Sequence, residues 1–274
     1  MSTLYISDLD GTLLQPECCL SDYTVCGLRE LILKRGIHFT VATARTAATV
    51  VGLMADVPLK MPVILMSGVL VYSIEARKYQ SVMPLNRKAF FNVLDVIRRY
   101  NIPCFVYTLV DDIMNTYFEA LSTPFMRRFY ETRVAAGKKF TKTVSFTNIS
   151  DDSLIFISAS GRRDMLEPTV RELDNISEIR YELYHDVYDT DGTRLLEIAN
   201  KNASKYTAVN YLQKTYGFDE IVCFGDNLND LPMFDASDRC YAVANARDEV
   251  KSAADGIIGD NTSDGVIKWL LENT

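Results

Sequence analysis

Residues 4–13 read Leu4-Tyr5-Ile6-Ser7-Asp8-Leu9-Asp10-Gly11-Thr12-Leu13. The stretch opens apolar and β-prone, which suits a buried strand, and then breaks into two aspartates one residue apart, followed by Gly-Thr. Side chains at i and i+2 leave a strand on the same side, so Asp8 and Asp10 are expected to converge at its carboxyl end. In open α/β sheets that edge is where ligands bind. Two carboxylates so close repel each other unless a cation lies between them or one takes a proton. Either outcome does chemistry: a hard-oxygen site for Mg²⁺, or a nucleophile beside a general acid. An Asp-Gly turn with solvated carboxylates uses the same letters, and Asp189-Thr190-Asp191-Gly192-Thr193 repeats them later. Context has to separate the two copies.

Beyond Leu14, Ser21 can cap a helix over Asp22 to Lys34, with Val25, Leu28, Leu31 and Ile32 at helical spacing and Gly36 as its stop. Ile37 to Ala42 reads as a second strand, and Thr46 to Ala55 as a helix. Strand, helix and strand imply a parallel pair joined by a right-handed crossover. Thr43 then lies at the same sheet edge as Asp8, where its hydroxyl and the following N–H groups can hold an anion or cap the next helix. Strands over Val63 to Met66, ending in Ser67-Gly68, and Val69 to Ile74 follow.

From about Met83 the chain changes character. Asn86 can cap a helix to Tyr100; strands are expected at Cys104–Val110, Val144–Phe146, Leu154–Ala159 and Ile179–Tyr188, with helices near Thr123–Ala135 and Arg162–Leu173. This alternation suffices for a separate α/β block between boundaries near Val82 and Asp189. The second Asp-X-Asp-Gly-Thr falls between strand-like Tyr181–Tyr188 and Arg194–Ala199, so it reads as a hairpin turn. It is not an EF-hand loop, whose register needs an acid at Val187 and a Glu at Ile198.

Ser204 can cap a helix to Tyr216, which puts Lys205 in the first turn. A cation there opposes the helix dipole, a cost that invites a functional account such as holding a phosphate, although an exposed surface lysine is the commoner case. Ile221-Val222-Cys223-Phe224 then runs into Gly225-Asp226-Asn227-Leu228-Asn229-Asp230, a dense cluster of oxygen ligands at a strand end.

Composition narrows the classes. The chain has 274 residues, 48% hydrophobic and 24% charged, enough for a core with an inserted domain. A net charge of −7 leaves no Lys/Arg excess to release counterions from nucleic acid. Six cysteines without a CxxC pair, and only two histidines, argue against a zinc site and a Cys-His nucleophile, and suit buried, reduced thiols. The opening residues run straight into a strand and no apolar run approaches a membrane span, so a soluble, cytoplasmic protein is expected.

In this order, Asp8-Leu9-Asp10-Gly11-Thr12, Thr43, Lys205 and Gly225-Asp226-Asn227-Leu228-Asn229-Asp230 resemble the motifs of the haloacid dehalogenase superfamily. The large insert, the tail Ala242-Val243-Ala244-Asn245-Ala246 and Asp264-Gly265-Val266 resemble its Cof-type subfamily of sugar-phosphate phosphatases, and the resemblance covers the whole chain. It implies an α/β fold: a Rossmann-like three-layer core with a parallel sheet from residues 1–82 and 189–274, and an inserted α/β cap from residues 83–188. It also implies a Mg²⁺-dependent phosphatase working through an aspartyl-phosphate. Asp8 is then the nucleophile and Asp10 the general acid and base, with Mg²⁺ held by Asp8, Asp226 and the main-chain carbonyl of Asp10. Leu9, Thr43, Ala44, Lys205 and Asn229 fall where phosphate or substrate is bound, and Thr12, Arg45 and Asp230 are supporting positions.

Ala44 stands where the family usually has Gly, Ser67-Gly68 where relatives carry Asn-Gly, and Asn200 and Asn202 where Pro and Gly precede the lysine. These departures bear on substrate preference more than on activity. A phosphomutase sharing the same intermediate and a non-catalytic phosphosugar-binding module are the alternatives. The expected partner is a small phosphorylated metabolite, with no nucleic acid, membrane or obligate protein partner indicated.

Overall fold

In the computed structural model, which describes residues 2–149, 154–185 and 192–274, the opening apolar run becomes strand β1 (Thr3–Ser7). Helix α1 (Asp22–Glu30), β2 (His38–Val41), α2 (Ala47–Leu53), β3 (Val63–Leu65), β4 (Leu70–Ser73) and β5 (Lys78–Val82) follow. Next come α3 (Arg87–Arg99), β6 (Cys104–Val110), β7 (Ile113–Phe118), α4 (Pro124–Ala135), β8 (Phe140–Lys142), β9 (Leu154–Arg162), α5 (Arg163–Leu173), β10 (Ile179–His185) and β11 (Thr193–Asn200). The chain closes with α6 (Lys205–Tyr216), β12 (Glu220–Gly225), α7 (Leu231–Phe234), β13 (Arg239–Val243), α8 (Asp248–Ala253), β14 (Gly256–Ile258) and α9 (Gly265–Asn273). Two units result: Met1–Ser81 with Ser204–Thr274, and Val82–Ala203.

The first unit is built on a five-stranded sheet of order β14-β13-β12-β1-β2, every neighbouring pair parallel. Its central strands read as nearly continuous apolar runs because parallel sheets are covered on both faces; Leu4, Ile6, Ile221, Val222, Cys223 and Phe224 are fully buried. Helices α1 and α9 pack together, as do α6, α7 and α8, and these helices with the sheet make the three-layer Rossmann-like core. Ser7 pairs with Phe224 on one side and Val41 on the other, so β1, β12 and β2 end level with one another.

The second unit is a six-stranded sheet of order β10-β11-β9-β6-β7-β8, antiparallel except for the β7–β8 pair. Helix α3 is amphipathic, with Ala89, Phe90, Val93, Leu94, Val96 and Ile97 buried at helical spacing. With Leu166 and Leu173 of α5, these residues cover Val106, Ile157, Leu196 and Ile198 of the sheet.

The second unit extends past the boundary that the sequence places at 188/189. That boundary assigns β11 to the first unit, yet β11 pairs with both β10 and β9 and buries Leu196 and Ile198 in the second core, so that unit runs to Ala203. Apolar alternation marks a strand but does not say which sheet it joins. The strand expected at Val144–Phe146 is also not formed. Val144 is 94% exposed, the local strand is β8 at Phe140–Lys142, and Phe146 opens a 3₁₀ turn. Three cysteines, Cys104, Cys223 and Cys240, are buried as expected, whereas Cys19 and Cys26 are exposed. The duplicate Asp189-Thr190-Asp191 lies outside the described residues, between two strands that do pair antiparallel. Among the described residues, no helix is long and apolar enough to cross a membrane.

Candidate active site

The Asp8 N–H donates to Phe224 O (2.9 Å), which ties the end of β1 to the end of β12. Beyond Asp8 the chain folds into a tight turn over Leu9–Leu13, closed by Leu14 N–H to Leu9 O (2.8 Å), with Gly11 at φ +80°. A Cβ on Gly11 would lie 2.5 Å from Asp226 Oδ2, so only glycine lets this turn rest against the neighbouring strand end. The Thr12 hydroxyl donates to Asp226 Oδ1 (2.8 Å).

Lys205 enters from a third element. Ser204 and Thr207 form a reciprocal capping box at the start of α6, and the lysine in the first turn is 1% exposed rather than a surface cation. Its Nζ donates to Asp8 Oδ1 and Asp230 Oδ1, both at 2.6 Å. These charge-assisted bonds answer both its burial and its unfavourable place on the helix dipole. Asp230 uses its other oxygen to accept from the N–H groups of Asp226 (2.9 Å) and Asn227 (3.0 Å). Gly68 completes the support: at φ +93°, its missing Cβ would stand 2.0 Å from Ser204 O and 2.9 Å from Lys205 N.

Among the described residues, Asp8, Asp226 and Asp230 each bring a carboxylate oxygen within 4.8 Å of the other two. Three carboxylates against one ammonium leave a surplus of negative charge in a largely buried place. Burial pushes Asp8 well above the usual carboxylate range, against the pull of Lys205 and with Asp230 adding to the rise. Burial, then the charge of Asp230, pushes Asp226 up to about 6. Burial draws the Lys205 pKa down, but Asp230 and Asp8 outweigh it and hold the ammonium above its ordinary value. All of these donors are hard oxygens, and the surplus charge is what a divalent cation such as Mg²⁺ would offset. With both Asp230 oxygens engaged, Asp8 and Asp226 are the side chains left to ligate it.

Asp10 does not join the carboxylate cluster. Arg45 grips it with two bonds, Nε to Oδ2 (2.8 Å) and Nη2 to Oδ1 (2.5 Å). The i, i+2 rule expected convergence, but β1 ends at Ser7 and the chain enters the turn over Leu9–Leu13 straight after Asp8, so Asp8 and Asp10 do not belong to one regular strand. Thr43 is buried at the end of β2, with its N–H on Ile64 O (2.9 Å) and its hydroxyl accepting from Arg45 N–H (3.2 Å). Thr46, not Thr43, is the cap residue of α2. Ala44 is exposed, Asn229 is half-buried in the 3₁₀ turn Leu228–Asp230, and the Leu9 side chain is in the core, so only its main chain faces outward chemistry. Two positions that sequence reading left without a role touch this site: Gly68, and Asn245, whose Nδ2 donates to Gly11 O (2.7 Å). Both fall in stretches that carry the family resemblance, Ser67-Gly68 and Ala242-Val243-Ala244-Asn245-Ala246, but nothing local to either stretch reveals these contacts.

Residues 5–270 match the family model of haloacid dehalogenase-like hydrolases. The chain is 24% identical to the pyridoxal phosphate phosphatase YbhA of Escherichia coli, over 100% of this chain and 99% of that protein. It is also 24% identical to the 5-amino-6-(5-phospho-D-ribitylamino)uracil phosphatase YitU of Bacillus subtilis, over 97% and 95%. The fold is that of a haloacid dehalogenase-like hydrolase from Bacteroides thetaiotaomicron, with a TM-score of 0.81 at 20% identity and full coverage of both chains. The chain belongs to the haloacid dehalogenase-like hydrolase family, and its enzyme class is phosphoric monoester hydrolase.

Proposed function

We propose that the protein hydrolyses phosphate monoesters of small metabolites, sugar phosphates foremost, with Mg²⁺ and through a phosphoaspartate on Asp8. The observation that carries this reading is Lys205, buried between Asp8 and Asp230 beside Asp226 at the level ends of β1 and β12. A carboxylate oxygen of Asp8 forms the bond to phosphorus as the ester P–O bond breaks. Asp10 gives a proton to the departing alkoxide, then takes one from the water that attacks the phosphoaspartate and frees Asp8 with inorganic phosphate. Lys205, Thr43, Asn229 and the backbone of Leu9 and Ala44 hold the phosphoryl oxygens as charge redistributes. Asp230 orients Lys205, Thr12 orients Asp226, and Arg45 orients Asp10. Asp8, Asp226 and the main-chain carbonyl of Asp10 would hold Mg²⁺, whose charge would screen the phosphoryl oxygens from the attacking carboxylate. The second unit is read as the cap that selects the leaving group. Relatives named as phosphatases of pyridoxal phosphate and of 5-amino-6-(5-phospho-D-ribitylamino)uracil support small phosphorylated substrates.

The test is a phosphate-release screen over phosphorylated sugars, cofactors and nucleotides, with Mg²⁺ and then with chelator. Activity that survives chelation, or an Asp8→Asn variant with wild-type turnover, would falsify the mechanism.

A further inference from the structure

The turn that carries Asp8, Asp10 and Thr12 is held by more than its own bonds. Asn245 follows β13 and Asn261 follows β14, and both reach back to this turn. The Nδ2 of Asn245 donates to Gly11 O (2.7 Å), while its Oδ1 accepts from Asn261 N–H (3.0 Å). Asn261 in turn donates from Nδ2 to Leu14 O (2.8 Å) in a buried contact. Gln15 Nε2, directly after the turn, donates to Asn261 O (3.0 Å) and Asp264 Oδ1 (3.1 Å). An amide is the one side-chain group that gives and takes a hydrogen bond in this fixed sense. Asn245 uses both ends, so its orientation is set by a carbonyl on one side and an N–H on the other.

We infer that Asn245, steadied by Asn261, is a positioning residue of the active site: it fixes the Gly11 peptide and thereby the spacing between the Asp8–Thr12 turn and Asp226. The inference rests on the proposed phosphatase reading. Gly11 already touches Asp226, with no room for even a Cβ between them. Rotation of the Gly11 peptide therefore shifts Asp10 on one side and Thr12, the hydrogen-bond partner of Asp226, on the other. Asn245 is exposed and distant in sequence, so its contribution to core packing is small and its effect on the turn is separable.

Asn245→Asp is the discriminating variant, since it keeps the shape and the acceptor for Asn261 N–H but sets an oxygen against Gly11 O. It is compared with Asn245→Ala, measuring kcat, KM, the Mg²⁺ concentration for half-maximal rate, and the rise in Tm that MgCl₂ gives the full-length protein. Both variants are expected to lose about 10- to 100-fold in kcat, to need more Mg²⁺ and to show a smaller Mg²⁺-induced rise in Tm, with KM little changed. Wild-type kcat and Mg²⁺ response in Asn245→Asp overturn the inference. So does a fall in metal-free Tm in both variants with kcat unchanged, or loss of folding at the assay temperature, because a purely structural amide would give either result. A wild-type protein that releases no phosphate from any substrate sinks the functional reading instead, and the Mg²⁺-dependent Tm still reports on the turn.

Discussion

Replacing Lys205 by Met keeps the apolar stem and removes the ammonium that two buried carboxylates share. Lys205 and Asp230 have fully buried side chains, and Asp8 is 6% exposed. Breaking a buried ion pair by removing one partner typically costs about 3–5 kcal/mol, because the charge left behind is uncompensated. At roughly 2–4 °C per kcal/mol for chains of this size, Tm should fall by about 10 °C near pH 8 in the presence of chelator. The loss should shrink on acidification. Without the ammonium, the pKa of Asp8, already raised by burial, climbs further, and Asp226 starts from about 6. Between those values and the ordinary carboxylate range, near 4, the folded state binds more protons than the unfolded one. Stability therefore falls as pH rises through the folded pKa and is recovered as pH drops below it. Thermal melts of wild type and Lys205→Met at pH 8 and 5.5, both in chelator, give the comparison. A deficit of the same size at both pH values would mean that the cost lies in packing, and that the carboxylates are not competing for the lysine. Phosphatase activity should be lost at either pH.

Three other perturbations address separate parts of the structure. Gly68→Ala forces a side chain into a left-handed conformation and against Ser204 O; a loss of about 1–3 kcal/mol from strain, with a lowered kcat, is expected in melts and turnover assays. A Gly68→Ala enzyme with unchanged kcat would show that the start of α6 does not depend on that contact. Thr12→Val removes the hydroxyl on Asp226 Oδ1 and should raise the Mg²⁺ requirement about tenfold, which a Mg²⁺ titration of the rate measures. Leu196→Ala should cost about 2–5 kcal/mol and speed amide exchange in β9 and β10 rather than in β1 and β12; the opposite pattern would return β11 to the first unit.

Much of the first unit was legible in the chain itself. An apolar run ending in Asp8-Leu9-Asp10-Gly11-Thr12 specifies both a buried strand and its carboxylate-bearing end, because burial on two faces and a break in the strand leave direct marks on residue type. Thr43, Lys205 and Asp226 were placed at strand ends or helix starts by the same local rules, and the structure finds them there. Local rules stop at questions of partnership. That Lys205 is buried between Asp8 and Asp230, that Asp10 turns away to Arg45, and that Gly68 and Asn245 brace the site depend on contacts between residues far apart in sequence. The allegiance of β11 is of the same kind, since alternation is identical whichever sheet accepts the strand. The sequence by itself determined the long, strongly periodic elements and which end of the first sheet gathers the candidate site residues, because those follow from each segment's own periodicity and caps; short strands such as β7 and β8 leave no such mark. Only the tertiary structure decided which carboxylate faces the lysine, which faces the arginine and which unit owns β11, because these are set by pairwise distances that no single segment encodes.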